Sequence, residues 1–180
     1  MLTKEKMQGY LCRIGDELAA KGLVGDLILA GGASMCLVHS ARDMTKDIDA
    51  LYEPKDVINE IAALIAKEDG LDAGWLNDGV KGFITDTART EEFLSLNGLR
   101  VATVAPEYLL AMKLVSGRYG EQDYSDARFL MVKLGIRTVE RAREVVLTYY
   151  SPERILPKTA YIIEEIVADI AGHGDGDAPH

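Results

Sequence analysis

Two aspartates, Asp47 and Asp49, stand either side of Ile48 in Thr45-Lys46-Asp47-Ile48-Asp49, and a glycine pair, Gly31-Gly32, lies upstream of them. If residues 46–52 form a strand, the two acids project from one face, about 7 Å apart at roughly 3.3 Å per residue. Ile48 and Ala50 then point the other way, into a core, and fix the register. Like charges held side by side repel, and a divalent cation between them relieves the repulsion. Mg²⁺ takes one or two carboxylates and completes its octahedron with water and substrate phosphates. The chemistry such a pair supports is therefore phosphoryl or nucleotidyl transfer. Taken alone, Asp-x-Asp near a strand end is more often simply two solvated side chains.

The glycine pair bears on that choice. Asp26-Leu27-Ile28-Leu29-Ala30 reads as a short strand stopped by Gly31-Gly32, and residues 33–39 follow without a breaker, as a helix. Glycines let the chain turn sharply and bring bare backbone to a ligand, and a helix beginning at Ala33 would offer unpaired amides to phosphate. Ser34, in the first turn of that helix, would add a hydroxyl donor. A strand, a glycine turn, a helix and then a strand bearing Asp-Ile-Asp is more specific than any one of its parts.

The elements that must position these residues are legible around them. Apolar positions at Met7, Tyr10, Leu11, Ile14 and Leu18 predict a first helix ending at Gly22. Pro54 is expected to open another helix running to Lys67. Residues 93–96 and 99–104 flank Asn97-Gly98, a two-residue hairpin signal. From Pro106 the hydrophobic period becomes helical, over residues 106–118, 123–134, 138–150 and 158–171. The expected organisation is an α/β core over residues 1–105, a helical part over 106–171 packed on it, and a Gly- and Asp-rich disordered tail over 172–180. Tyr149, Tyr150 and Tyr161 read as packing residues of the helical part.

At this point the chain resembles the nucleotidyltransferase superfamily. Leu29-Ala30-Gly31-Gly32-Ala33-Ser34 and Thr45-Lys46-Asp47-Ile48-Asp49 look like its first two motifs. The bacterial branch near the AbiEii-type toxins is more similar, through Trp75-Leu76-Asn77-Asp78-Gly79-Val80-Lys81-Gly82-Phe83, through Ala105-Pro106-Glu107-Tyr108-Leu109-Leu110-Ala111-Met112-Lys113-Leu114, and through Arg118 followed by Asp123-Tyr124-Ser125-Asp126. The resemblance implies a small mixed-sheet α/β (α+β) nucleotidyltransferase core with a C-terminal helical layer. It implies a bacterial, toxin–antitoxin setting, with Mg²⁺ as cofactor on Asp47 and Asp49. The substrate would be an NTP whose NMP passes to an acceptor hydroxyl on RNA, such as tRNA, or on protein. Gly31, Gly32 and Ser34 would hold phosphate, and Lys113, Arg118, Asp123 and Asp126 would complete the nucleotide site, Lys113 neutralising transition-state charge.

Read from the residues alone, Lys113 is a single cation on an apolar helix turn, compatible with triphosphate contact or with a structural pair. Asp123 and Asp126 share a helix face, within reach of Arg118 and Arg128, so the group also reads as an ion network. Asn77 and Asp78 fall in a turn-forming stretch and would support the site from a neighbouring loop.

One departure from the family pattern affects the expected activity. Many members carry a third carboxylate on a later core strand, and the matching residues 99–104 contain Arg100, Ala102 and Thr103 but no acid. Either Asp78, Asp86 or Glu91 supplies the third ligand, or the site holds one metal. Loss of that acid removes the usual base for the acceptor hydroxyl, which leaves a second expectation open: a catalytically silent nucleotide-binding or antitoxin-like module. A purely structural domain would leave the acids and the glycine turn without a common cause.

Composition narrows the partners. The net charge of −9 argues against a protein that coats nucleic acid. Residues 110–160 hold nine basic and six acidic side chains, a balance of +3, against −12 for the rest, so a weakly basic surface on the C-terminal half could meet phosphate. The first 22 residues mix charges throughout and no apolar run reaches membrane-spanning length, so a cytoplasmic, membrane-free protein is expected. Cys12 and Cys36 lack metal-ligand spacing.

Overall fold

The computed structural model describes residues 1–85, 87–116 and 120–173. In chain order the elements are β1 (Leu2–Thr3), α1 (Lys4–Ala20), β2 (Gly25–Leu29), α2 (Gly31–Leu37), β3 (Met44–Thr45), β4 (Ile48–Glu53), α3 (Lys55–Asp69), β5 (Leu76–Asn77), β6 (Thr90–Leu96), β7 (Leu99–Val104), α4 (Pro106–Val115), α5 (Glu121–Lys133), α6 (Val139–Tyr149) and α7 (Pro157–His173). They form a mixed α/β protein. Met1–Gly82 and Thr90–Val104 make one compact unit, and Phe83–Arg89 clusters with the chain from Ala105 onward in a second. Among the described residues no helix is long and apolar enough to cross a membrane.

The first unit is built on a five-stranded sheet in the order β5-β4-β2-β7-β6. β2 lies antiparallel to β4 and parallel to β7, β4 is parallel to β5, and β6 returns antiparallel to β7. Leu96 pairs with Leu99 across Asn97-Gly98, so the hairpin forms where its turn residues predict it, while β6 begins at Thr90, three residues earlier than its apolar run. Alternation along the strands sends Leu27, Leu29, Ile48, Ala50, Tyr52, Leu99 and Val101 to one face, all buried. There they join Met7, Leu11, Ile14 and Leu18 of α1 and Ile58, Ile61 and Ile65 of α3 in one core. Both helices are amphipathic at the 3.6-residue period, which is why each buries a stripe and leaves its charges outside. Trp75 ties the middle of α3 to that core, donating from Nε1 to the Ala62 carbonyl at 3.0 Å and meeting the Tyr10 ring at 5.1 Å between centroids.

The opposite sheet face carries Leu51, Ile28, Ala102 and Glu92 in one row and Glu53, Asp26, Arg100 and Ser95 in the next. It is more open. A groove of about 730 Å³ crosses it, lined by Ile28, Glu92, Phe93, Arg100 and Ala102 among others.

The second unit is helical. α4 has no polar side: Tyr108, Leu109, Leu110, Ala111, Met112, Leu114 and Val115 are all buried, so it occupies the centre. α6 packs on it, capped by the Thr138 hydroxyl, which accepts from the Arg141 amide at 3.2 Å. α5 is tied to α7 by the ion pair of Arg128 with Asp169. Phe83–Arg89 joins this unit through its backbone, since the Tyr108 and Tyr150 hydroxyls both donate to the Phe83 carbonyl, at 2.9 and 2.6 Å. Tyr149 and Tyr150 pack against Tyr108, but Tyr161, expected to do the same, is 65% exposed. The helix expected to stop at residue 171 continues to His173; the remainder of the expected tail, residues 174–180, lies outside the described residues.

Candidate functional site

The glycine pair and the second aspartate meet. Leu29 pairs with Ala50, and the Ala30 amide donates to the Asp49 carbonyl at 2.9 Å, so the end of β2 lies alongside the start of β4. Asp49 sits between Ile48 and Ala50, both fully buried, and therefore projects from the open sheet face. Its carboxylate packs directly on Gly31. A Cβ on Gly31 would lie 2.5 Å from Asp49 Oδ2, and Gly31 has φ +53°, a backbone state that side chains other than glycine rarely adopt. Sterics and conformation both demand glycine there. The other carboxylate oxygen faces Gly79, whose own Cβ position lies 4.0 Å from Asp49 Oδ1.

α2 begins at Gly31 and not at Ala33, so the glycine pair forms the first turn of the helix, with Ala30 as its N-cap. That shift rotates Ser34 away from the turn. Ser34 is fully buried, and its hydroxyl lies 2.8 Å from Thr103 Oγ1 on β7. The phosphate-donor role expected of it is corrected accordingly: the hydroxyl ties α2 to the sheet.

Asp47 also differs from expectation. Residues 46–52 are not one strand. Thr45 pairs with Leu2 in a small two-stranded sheet, whereas Ile48 pairs with Leu76 in the large one, with its amide donating to the Trp75 carbonyl at 2.6 Å. The chain must bend between two sheets, and Lys46-Asp47 is the bend. Asp47 and Asp49 remain half-buried at the same end of β4.

Asn77 lies beside Asp49 in register, but its carboxamide is used locally, accepting from the Gly79 amide at 2.9 Å and donating to the Gly74 carbonyl at 3.3 Å. Asp78 is held by Lys55 at 2.5 Å, a hydrogen bond that keeps its carboxyl below the usual carboxylate range and raises the Lys55 ammonium. The pair pins the loop after β5 to the start of α3. Glu91, paired with Thr103 across the hairpin, is exposed; Asp86 lies outside the described residues. Among the described residues no group of three or more His, Cys, Asp or Glu side chains could hold a metal ion. The carboxylate placed on the turn is that of Asp49, an oxygen donor of the kind Mg²⁺ accepts while filling its remaining positions with water and phosphate.

Two residues that the sequence did not single out join the turn. A Cβ on Gly32 would strike the Thr45 hydroxyl and the Arg42 guanidinium. Consecutive Cα atoms are about 3.8 Å apart, so the glycine pair carries a carboxylate against its first member and a guanidinium against its second. The sequence signal was an arginine and a threonine in the connection between the glycines and the acids.

The residues expected to complete the nucleotide site belong to the second unit. Lys113 Nζ lies 2.7 Å from Asp123 Oδ1 and 2.7 Å from Asp126 Oδ2, with its side chain only 11% exposed. Gln122 donates to Asp126 Oδ1 at 3.2 Å. Of the alternatives left open for Lys113, this arrangement is the structural one: an ammonium between two carboxylates, joining α4 to α5. Arg118 lies outside the described residues. Comparison with protein-family models, with curated proteins and with solved structures returned no match.

Proposed function

We propose that the protein is a Mg²⁺-dependent nucleotidyltransferase, with its site at the Gly31-Gly32 turn. The observation that carries this reading is the packing of the Asp49 carboxylate on Gly31, at a spacing that admits no side chain and in a conformation that favours glycine. A carboxylate and bare backbone in one place are what binding of a metal–triphosphate requires. Asp47 and Asp49 would hold the ion, which when bound supplies charge neutralisation and orientation for the triphosphate. A side chain at Gly31 would collide with the Asp49 carboxylate, and one at Gly32 with Thr45 and Arg42. The reaction would join an acceptor hydroxyl to the α-phosphorus of an NTP, with pyrophosphate leaving and the acceptor's proton passing to water. The acceptor would be RNA or protein, and a toxin–antitoxin setting would follow from the resemblance.

A second reading is favoured by one observation: Arg100, Ala102 and Val104 are the β7 residues on the face from which Asp49 projects, and none is an acid. The protein would then bind nucleotide without turning it over, as an antitoxin-like module.

Calorimetric titration of ATP, GTP, CTP and UTP with and without Mg²⁺ tests both, alongside the double variant Asp47→Asn, Asp49→Asn. Mg²⁺-dependent binding that disappears in a folded double variant supports the site. Label transfer from an α-phosphate-labelled NTP to RNA or protein separates the enzyme from the silent module. Absence of binding by a folded wild-type sample would sink both readings.

A further inference from the structure

We propose that the groove on the open face of the sheet, next to Asp49, takes the acceptor, and that the acceptor is an extended basic segment of polypeptide. The proposal deepens the reading above and rests on it for the transfer step; the fit between groove and basic peptide stands without it.

Position comes first. Asp49 projects from the open face, so a nucleotide held at its carboxylate lies over that face. Leu51 is the next residue of β4 on the same side, about 7 Å further at roughly 3.3 Å per residue. It stands in one row with Ile28, Ala102 and Glu92, and the row beyond holds Glu53, Asp26, Arg100 and Ser95. The groove of about 730 Å³ runs over both rows across β2, β7 and β6, and all of its lining belongs to the sheet-based unit. A chain lying in it passes one row from Asp49, and a hydroxyl on that chain can reach the α-phosphorus along the face.

Chemistry comes second. Ile28, Phe93 and Ala102 line the groove and are each half-buried, an apolar floor for aliphatic side chains. Around it the two rows carry three carboxylates, those of Asp26, Glu53 and Glu92, and one guanidinium, that of Arg100. Arg100 donates from Nε and Nη2 to the two carboxylate oxygens of Asp26, each at 2.7 Å, so that pair is neutral. Glu53 and Glu92 are both exposed and leave the rim negative. RNA meets repulsion there, because its binding depends on Lys and Arg neutralising phosphates. A polypeptide bearing lysine or arginine meets the opposite charge, which steers the encounter and selects the partner. In an extended segment successive side chains alternate, so apolar ones can settle on the floor while basic ones reach the rim. A serine, threonine or tyrosine hydroxyl of the segment then forms the new O–P bond as pyrophosphate leaves, its proton passing to water.

The probe is a short fluorescein-labelled peptide alternating Lys and Leu around a central Ser, compared with the same peptide carrying Glu for Lys and with a single-stranded RNA oligonucleotide. Fluorescence anisotropy on the full chain should show the Lys peptide bound, the Glu peptide and the RNA not, and affinity falling as salt rises. Glu92→Lys should weaken the Lys peptide about ten-fold, since an attraction becomes a repulsion. Ala102→Trp, which fills the floor, should weaken it at least as much, with the thermal midpoint recorded for both variants. A benzophenone in the peptide gives a measure on the wild-type protein that no folding defect can confuse: crosslinks should map to residues 90–95 and 100–102. No binding of the Lys peptide, equal binding of the Lys and Glu peptides, unaltered affinity in both folded variants, or crosslinks confined to other residues would overturn the proposal. RNA bound more tightly than the Lys peptide would overturn it too. The two readings fail separately. Lys-peptide binding in the groove without any Mg²⁺–NTP binding would keep the groove and remove the nucleotidyltransferase; Mg²⁺–NTP binding that needs Asp49, with label passing to RNA and no peptide bound, would do the reverse.

Discussion

Gly31 is constrained twice over, by its backbone and by its neighbour. Its φ of +53° and the closeness of Asp49 Oδ2 act together, so replacing it by alanine costs both backbone strain and displacement of a carboxylate. Gly31→Ala should destabilise the fold by about 1–3 kcal/mol, the usual range for a non-glycine residue in that conformation, and should abolish Mg²⁺–NTP binding at temperatures where the variant is still folded. Urea titration and calorimetry on one sample would check the two effects; wild-type stability and affinity would show that Asp49 and Gly31 are neighbours without consequence. The glycine pair and the acids could be found from sequence because glycine in a strand-to-helix turn and alternation about Ile48 are local signals. Arg42 could not. Nine residues separate it from Gly32, and its contact with the turn arises when the connection after α2 folds back. The partner of Asp78 could not be read for the same reason: Lys55, which holds it, is 23 residues away.

Among the elements, α2 shows how far a small shift propagates. Beginning the helix at Gly31 places Ser34 inside, opposite Thr103, and turns a candidate ligand into a tie between helix and sheet. A double-mutant cycle with Ser34→Ala and Thr103→Val should give single losses of about 1 kcal/mol each and a coupling term, since both remove the same bond. Affinity for Mg²⁺–NTP should stay at the wild-type level in Ser34→Ala. A drop in affinity without loss of stability would return Ser34 to the ligand shell. The broad elements were readable in advance because their periods are strong: α1 and α3 bury every third or fourth residue, and α4 is apolar all round. The break at Lys46-Asp47 was not readable, because residues 46–52 alternate about Ile48 well enough to pass for one strand, and only the pairing partners, β1 for Thr45 and β5 for Ile48, divide the chain there.

For the whole molecule, the chain leaves the sheet-based unit at Gly82, runs through Phe83–Arg89 among the helices, returns for β6 and β7, and leaves again at Val104. The change of hydrophobic period at Pro106 marks the last of these crossings and hides the first two, since seven residues are too few to carry a period. The inserted segment contributes to the helical unit. Tyr108 is fully buried and Tyr150 is 8% exposed, both hydroxyls bond the Phe83 carbonyl, and Arg154 lies over the Phe83 ring at 5.7 Å. A fragment of residues 105–173 would lack that acceptor and that ring. With about 1–3 kcal/mol lost for each buried hydroxyl left unsatisfied, against about 5–15 kcal/mol for a typical domain, the fragment should melt without a cooperative transition. A sharp transition by circular dichroism at the temperature of the full chain would show that Phe83–Arg89 is dispensable.

The threading has a bearing on ancestry and on biosynthesis. A helical unit whose acceptor carbonyl, that of Phe83, comes from a segment earlier in the chain than β6 and β7 cannot be traded between genes as a cassette at one splice point. Recombination at residue 105 would deliver a sheet whose connecting strap has lost its anchor and a bundle whose tyrosines have lost theirs. During synthesis, likewise, β2 waits for β7, some seventy residues downstream in the parallel pairing of Gly25 with Leu99, before its second edge is covered. The sheet therefore cannot close on the ribosome until residues 83–89 have already been made.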